Sequence, residues 1–141
     1  MRTEAAFVGA KLALLHDGAV LTYLRDDFGH LPFPGHWDLP GGGREGAETA
    51  EACVLRELEE EFGLRIGPER LIWRREFASW HRIGHRAVFF GGRIGPEEIS
   101  AVRFGSEGQR WEMMGIDAFM EHERAVPYLR DRLAEFAATL D

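Results

Sequence analysis

The chain has 141 residues, of which 45% are hydrophobic and 29% are charged. This length and composition are ordinary for a soluble globular protein, and they predict a single domain, residues 1–141, with a substantial core. The net charge of −7 and the pI near 5.4 argue against a nucleic-acid polymer or a membrane surface as partner. They do not exclude a phosphorylated small molecule as ligand, because a bound metal ion reverses the local electrostatic field.

The compartment follows from three features of the sequence. The only cysteine, Cys53, cannot form a disulfide within the chain, so a reducing environment fits and a small core residue is expected there. The apolar run 5–15 is interrupted by Lys11 and has no small-residue cleavage site behind it, unlike a signal peptide. No apolar stretch approaches the roughly 20 residues of a membrane span. The sequence therefore predicts a cytoplasmic protein.

The first elements form a predicted hairpin. The apolar runs 7–15 and 19–25 are joined by His16-Asp17-Gly18, in which Asp-Gly is a strong signal for a tight turn. We therefore expect two antiparallel strands. Residues 26–36, with two glycines and two prolines, are predicted to be a loop.

A helix is predicted over 47–62, a stretch without proline or glycine. Gly63 is a natural place for the chain to leave the helix in the left-handed conformation. Glu57, Glu60 and Glu61 gather on one face, where three like charges repel one another. A hard divalent cation with oxygen ligands would remove that cost. For the helix alone, a solvated acidic face is the alternative interpretation.

The second half of the chain is predicted to supply three further strands, over 71–80, 86–94 and 111–114. The stretch 96–109 is expected to be irregular, with one short strand near Val102. Such a mixture of strands and helices predicts an α/β fold, with a mixed sheet covered by helices.

Two helices are expected after the last strand. Asp117 is predicted to cap a short helix over 118–122. Pro127 suits the first turn of a final helix, whose periodic apolar face extends to Leu140.

The stretch 42–64 fits the pattern G-x5-E-x7-R-E-U-x-E-E-x-G-U, with U aliphatic, at every specified position. The matching residues are Gly42, Glu48, Arg56, Glu57, Leu58, Glu60, Glu61, Gly63 and Leu64. By this signature the chain resembles the Nudix hydrolases, and the lead-in Trp-Asp-Leu-Pro-Gly-Gly at 37–42 looks like the family's usual entry. The resemblance implies the Nudix fold, an α/β/α sandwich with a mixed central β-sheet, and hydrolysis of a diphosphate linkage.

The resemblance also implies roles for the residues of this signature. Glu57, Glu60 and Glu61 are implied to be catalytic and to hold a divalent metal, usually magnesium, with manganese as the alternative. Arg56 usually braces the glutamates in this family rather than meeting substrate. Glu48, near the helix start, is assigned a supporting role.

Further candidates lie outside the predicted helix. Gly41 and Gly42 let the backbone approach a ligand closely, since no Cβ stands in the way. Glu107, in Glu-Gly-Gln at 107–109, resembles the loop glutamate of MutT-type members that serves as a metal ligand or base. Arg25 can reach a phosphate as a charged fork, although an ordinary surface arginine is an equal alternative.

Two assignments stay open between named residues. Glu97 and Glu98 are rivals of Glu107 as the loop acid. Four aromatic residues are expected first of all to be core or strand residues: Trp80, Phe89, Phe90 and Trp111. One of them can instead stack on a base, and the sequence does not identify which.

The signature identifies the cleavage chemistry and not the group attached to the diphosphate. Short length, the 37–42 lead-in and Glu107-Gly108-Gln109 favour a MutT-like enzyme that cleaves a nucleoside triphosphate to the monophosphate and pyrophosphate. The alternative is a nucleoside diphosphate linked to another group, as in ADP-ribose or a nucleotide sugar. A non-catalytic nucleotide sensor is disfavoured, because no glutamate of the signature is missing. The expected partner is thus a nucleotide-type small molecule, and a homodimer is left open.

Overall fold

The computed structural model describes residues 7–140. This part of the chain contains seven strands and four α-helices, besides a 3-10 turn at Pro68–Arg70. In chain order they are β1 (Phe7–His16), β2 (Ala19–Leu24), β3 (Trp37–Asp38), β4 (Gly41–Gly43), α1 (Ala50–Phe62), β5 (Trp73–Ala78), β6 (Arg86–Arg93), α2 (Pro96–Ser100), β7 (Arg110–Gly115), α3 (Ile116–Glu121) and α4 (Pro127–Ala137).

The N-terminal hairpin is confirmed. Leu15 pairs with Val20 in antiparallel register, and the two residues of the turn, Asp17 and Gly18, have φ values of 49° and 75°. Two successive positive φ values suit the right-handed twist of the flanking strands, and Asp-Gly adopts them readily.

Beyond the turn the strands β1 and β2 diverge, and the segment 37–43 enters the gap between them. Its first part, β3, bonds to the end of β2, while its second part, β4, bonds antiparallel to β1 through residues 9–11. We call this segment the wedge. The outer edge of β1 pairs in parallel with β6, which continues to β5, and the outer edge of β2 pairs with β7.

Helices cover both faces of this mixed sheet. Leu12 and Leu14 of β1 pack with buried residues of α1, whereas Ala13 and Leu15 point the other way and pack with α3 and α4. Burial on both faces makes β1 an almost continuous apolar run rather than an alternating one. The result is an α/β/α sandwich with a mixed central sheet, as the resemblance implied.

The helix α1 begins at Ala50, so the predicted start at residue 47 is wrong by three residues. Thr49 is the N-cap, and its hydroxyl accepts a hydrogen bond from the Ala52 N–H at 3.1 Å. The predicted end is confirmed, because Gly63 has φ 67° and donates its N–H to Glu59 O.

The prediction for 96–109 is wrong in two respects. Residues 96–100 form α2, because Pro96 occupies the first turn and the Glu98 carboxylate accepts the Gly95 N–H at 2.9 Å. No strand forms near Val102. The next residues instead run along the end of α1, where Gly105 N–H donates to Glu61 O at 2.9 Å, and this places 105–107 beside the acidic face of α1.

The last helices differ slightly from their predicted bounds. The prediction that Asp117 caps α3 is wrong, because the helix begins at Ile116 after Gly115 and Asp117 lies within its first turn. Pro127 does open α4, but this helix ends at Ala137, before Leu140. No helix within residues 7–140 combines the length and the apolarity that crossing a membrane would need.

Candidate active site

Glu61 lies buried between α1 and the wedge. Its Oε1 accepts a hydrogen bond from the Gly41 N–H at 3.0 Å, and the residue is 8% exposed. Burial raises the pKa of Glu61 to about 8, although Lys11 and the Gly41 N–H act in the opposite direction. An ionised carboxylate buried in this way is costly unless a cation accompanies it.

Arg56 joins the remaining acidic groups of the signature. Its Nε donates to Glu48 at 2.7 Å, while its Nη1 lies 3.2 Å from both Glu57 Oε2 and Glu60 Oε1. Its Nη2 also donates to the Gly43 carbonyl at 2.9 Å. The guanidinium therefore offsets part of the repulsion among the glutamates and ties α1 to the wedge.

The two predicted ligand-contacting glycines are required by close packing. Gly42 lies against Glu57, and a Cβ at Gly42 would come within 2.6 Å of Glu57 Oε2. Gly41 has φ 131°, and a Cβ there would collide with the carbonyl of Ala10 in β1. Both positions thus exclude a side chain before any ligand is considered.

Glu107 lies beside the acidic face of α1. A cavity of about 160 Å³ is lined by Glu60, Glu61, Ser106 and Glu107. Its rival Glu98 is engaged elsewhere, since both of its carboxylate oxygens accept from Arg70, at 2.7 and 2.8 Å. The structure therefore brings Glu107 to the signature glutamates and leaves Glu98 away from them.

The donor set of this cavity suits a hard divalent cation. All its charged groups are carboxylates, the ligands that magnesium and manganese prefer, and its volume is several times what one water molecule needs. Within residues 7–140, no three metal-ligating side chains already converge on one point. Arg56 holds Glu57 and Glu60, and Gly41 holds Glu61, so rotation of these side chains is needed to bring their oxygens together.

A buried charge network anchors the wedge, and the sequence prediction missed it. Asp38, 2% exposed, accepts hydrogen bonds from Lys11 at 2.9 Å, Arg25 at 2.8 Å and Tyr23 at 3.1 Å. Burial would raise the pKa of Asp38. The positive charge of Lys11, and after it that of Arg25, instead holds this pKa below its ordinary value. The available signal was Lys11 itself, the one charged residue of an apolar strand.

Arg25 lies in this network. Its Nη1 bonds to Asp38, and its Nε donates to the carbonyl of Pro32 at 3.0 Å. The guanidinium therefore fixes Asp38 and the loop 26–36, an anchoring role that was not predicted from the sequence. Its contact with a substrate phosphate remains a prediction.

A cleft of about 300 Å³ opens on the other side of the wedge. Its floor includes Lys11 and Gly42, and its outer wall carries the rings of Phe33, Trp80 and Tyr128. Trp80 and Tyr128 are nearly parallel, with centroids 5.8 Å apart, and Phe33 lies 5.2 Å from Trp80. Phe33 has φ 50°, a strained conformation for a bulky residue.

The cleft separates the aromatic candidates. Trp80 is 46% exposed at its wall, whereas Phe89 and Phe90 are buried in the core and Trp111 packs partly buried against the core. Trp80 is therefore the one of the four that presents a ring to this cleft.

Comparison with known proteins gives a consistent family. The family model of the NUDIX domain matches residues 12–136. An RNA pyrophosphohydrolase of Dinoroseobacter shibae is 32% identical over 137 residues, covering 91% of this chain and 76% of that protein. A nucleoside triphosphatase of an Enterobacter species is 53% identical over 34 residues, 24% of each chain. The crystal structure of a MutT protein from Methanosarcina mazei superposes with a TM-score of 0.71 at 20% identity, covering 94% of both chains.

The fold is an α/β/α sandwich, and its acidic helix face beside a glycine loop is an arrangement suited to metal-assisted hydrolysis. The chain belongs to the Nudix family. It is a Nudix hydrolase that acts on the diphosphate bonds of nucleoside diphosphate derivatives, and members of this family generally use divalent metal ions.

The contact between Gly42 and Glu57 gives a first prediction. Gly42→Ala places a methyl group within 2.6 Å of Glu57 Oε2 and displaces that carboxylate, so we expect kcat to fall at least about 10-fold. Gly43→Ala is the matched control, because a Cβ there meets nothing nearer than 4.0 Å. Equal kcat values for the two variants would contradict the assignment of Glu57.

The burial of Glu61 gives a second prediction. Its folded pKa of about 8 exceeds the ordinary 4.5, so its contribution to stability is complete below pH 4.5 and is lost as pH rises through 8. In chelator, the unfolding free energy should fall by about 2 to 4 kcal/mol over that range. Urea titrations should show a flatter profile for Glu61→Gln, and an equal slope would refute the prediction.

Proposed function

We propose that the chain is a magnesium-dependent, MutT-like hydrolase that converts a nucleoside triphosphate and water into the nucleoside monophosphate and pyrophosphate, with manganese as a substitute ion. The observation that carries this proposal is the position of Glu107 in one cavity with Glu60 and Glu61. This is the loop acid that the MutT-type resemblance implies. The short match to a nucleoside triphosphatase supports the same substrate class.

In this proposal Glu57, Glu60 and Glu61 hold the cation. A divalent cation held by these carboxylates would offset the negative charge that redistributes over the phosphoryl group during transfer. Arg56 keeps Glu57 and Glu60 at the cavity through its two 3.2 Å contacts. Glu107 accepts the proton of the attacking water, which adds to phosphorus as the pyrophosphate leaves.

The aromatic cleft is the place for the nucleoside in this proposal. Gly42 lines the cleft and also contacts Glu57, so a base in the cleft and phosphates at the carboxylates can belong to one molecule. Trp80 offers a partly exposed ring face for stacking. Arg25, in the same cleft, contributes positive charge on the path to the phosphates.

Two other substrates belong to the same chemistry. A nucleoside diphosphate linked to a second group remains the alternative, and a triphosphorylated RNA end is suggested by the Dinoroseobacter relative. The net charge of −7 disfavours a polymer. A cytoplasmic location is part of the proposal, since the chain's single cysteine is buried and unpaired.

Product analysis with magnesium tests the proposal. The panel contains canonical and oxidised nucleoside triphosphates, ADP-ribose, nucleotide sugars, dinucleoside polyphosphates and a 5′-triphosphorylated RNA oligomer. Monophosphate and pyrophosphate from a free triphosphate are the expected products. Cleavage confined to a diphosphate-linked compound or to the RNA would replace the proposed substrate. Tight binding without cleavage would identify a sensor instead.

A third prediction concerns the loop acid. Glu107→Gln should lower kcat by about 100-fold, because the amide cannot accept the water's proton. Glu97→Gln is the control, since Glu97 lies exposed in α2, and its kcat should match the wild type. A loss of activity in Glu97→Gln rather than in Glu107→Gln would reverse the assignment.

A fourth prediction concerns the cleft. Trp80→Ala should raise KM for the nucleotide about 10-fold with little change in kcat, since stacking on an aromatic ring is lost. Ile83→Ala serves as control, because Ile83 is fully exposed and lies outside the cleft. Equal KM values in both variants would place the base elsewhere.

A further inference from the structure

Lys11 is a buried cation that faces the wedge. Its side chain is 14% exposed. Its Nζ donates to Asp38 Oδ1 at 2.9 Å, to the Leu39 carbonyl at 3.1 Å and to the Gly41 carbonyl at 3.2 Å. An ammonium group has three donors, so all three are directed at the wedge.

The contact with Gly41 connects Lys11 to the acidic face of α1. The Gly41 carbonyl accepts from Lys11, while the N–H of the same residue donates to Glu61 Oε1 at 3.0 Å. Gly41 has no side chain and a φ of 131°, a conformation that its own sterics do not fix.

The Gly41 N–H belongs to the Pro40–Gly41 peptide, whose Pro40 carbonyl accepts from the Leu12 N–H at 2.9 Å. Lys11 bonds to the carbonyls of the two flanking peptides, those of Leu39 and Gly41. The direction of this N–H therefore depends on Leu12 at its own peptide and on Lys11 at both neighbouring ones.

We propose that Lys11 is a positioning residue of the metal site: by holding the carbonyls on either side of the Pro40–Gly41 peptide, it keeps the Gly41 N–H directed at Glu61 and thereby fixes the position of the Glu61 carboxylate. The inference rests on the proposed function, in which Glu61 is a metal ligand. Lys11 itself touches neither the cation nor the reacting phosphorus in this role.

The other contacts of Asp38 separate this role from simple anchoring of the wedge. Asp38 also accepts from Arg25 at 2.8 Å, from Tyr23 at 3.1 Å and from the Leu39 N–H at 2.7 Å. Tyr23 and Arg25, at the end of β2, thus hold the Asp38 end of the wedge without Lys11. Among the four groups that bond to Asp38, Lys11 is the one that also bonds to Gly41.

Titration of the protein with Mn²⁺, followed by calorimetry and by electron paramagnetic resonance of the free ion, tests the proposal. Lys11→Met keeps the length of the side chain but removes its donors, and we expect Kd for Mn²⁺ to rise at least about 10-fold, the usual effect of losing an outer-shell partner. Tyr23→Phe removes one hydrogen bond from the same Asp38 without touching Gly41, and its Kd should stay within about twofold of the wild type.

A double variant keeps the test decisive if Lys11→Met is unstable, because Asp38 then loses one of its two cationic partners and keeps Arg25, and a buried carboxylate with fewer partners is costly. Lys11→Met with Asp38→Asn removes both charges, so it should recover stability in urea while Mn²⁺ binding stays weak. Recovery of wild-type affinity in the double variant would show that Lys11 acts only through the fold, and would overturn the inference.

Glu61→Gln separates this inference from the proposed function. Weak Mn²⁺ binding in Glu61→Gln together with wild-type binding in Lys11→Met would overturn the role of Lys11 and leave the proposed metal site intact. Unchanged binding in Glu61→Gln would remove the metal assignment itself, and the role of Lys11 with it. Weak binding in both variants, with kcat of Lys11→Met restored at saturating Mn²⁺ and an unchanged KM, is the expected result.

Discussion

The architecture of the site depends on the buried carboxylate of Asp38. The strands β1 and β2 separate beyond their turn, and Asp38 fills the space between them by accepting from Lys11 on one strand and from Tyr23 and Arg25 at the end of the other. A buried charge is tolerated when its hydrogen-bonding capacity is used, and here each oxygen accepts twice. These bonds fix the position of the wedge, and they therefore also fix the position of the glycines that contact α1.

The two sides of the acidic face of α1 differ in the groups that stabilise their carboxylates. Arg56 lies on its outer side, between Glu48, Glu57 and Glu60, whereas Glu61 on the inner side has only a backbone N–H as its hydrogen-bond partner in the wedge. The outer glutamates are thus stabilised by the protein itself. Glu61, the inner glutamate, is the most deeply buried of them. The outer part of the face is therefore held by Arg56, and the inner part gains most from a bound cation.

The parts of the structure that the sequence predicted are those encoded locally. The hairpin turn, the end of α1 at Gly63 and the signature glutamates each depend on neighbouring residues. The start of α1 was misplaced because Thr49 caps it while Glu48 bonds outward to Arg56. The pairing of Lys11 with Asp38 joins residues 27 positions apart, and the choice of Trp80 among four aromatic residues depends on which ring the fold leaves exposed.

The parallel pairing of β1 with β6 has a consequence for how the chain assembles. Residues 9–15 of β1 bond to residues 87–93 of β6, so the central strand cannot complete its hydrogen bonding until more than half of the chain is available. Until then, the apolar run of β1 keeps an unpaired edge, which is a template for association with other chains. Synthesis beyond residue 93 is therefore required before this edge of β1 can be closed, and contacts of such long sequence separation favour slow folding.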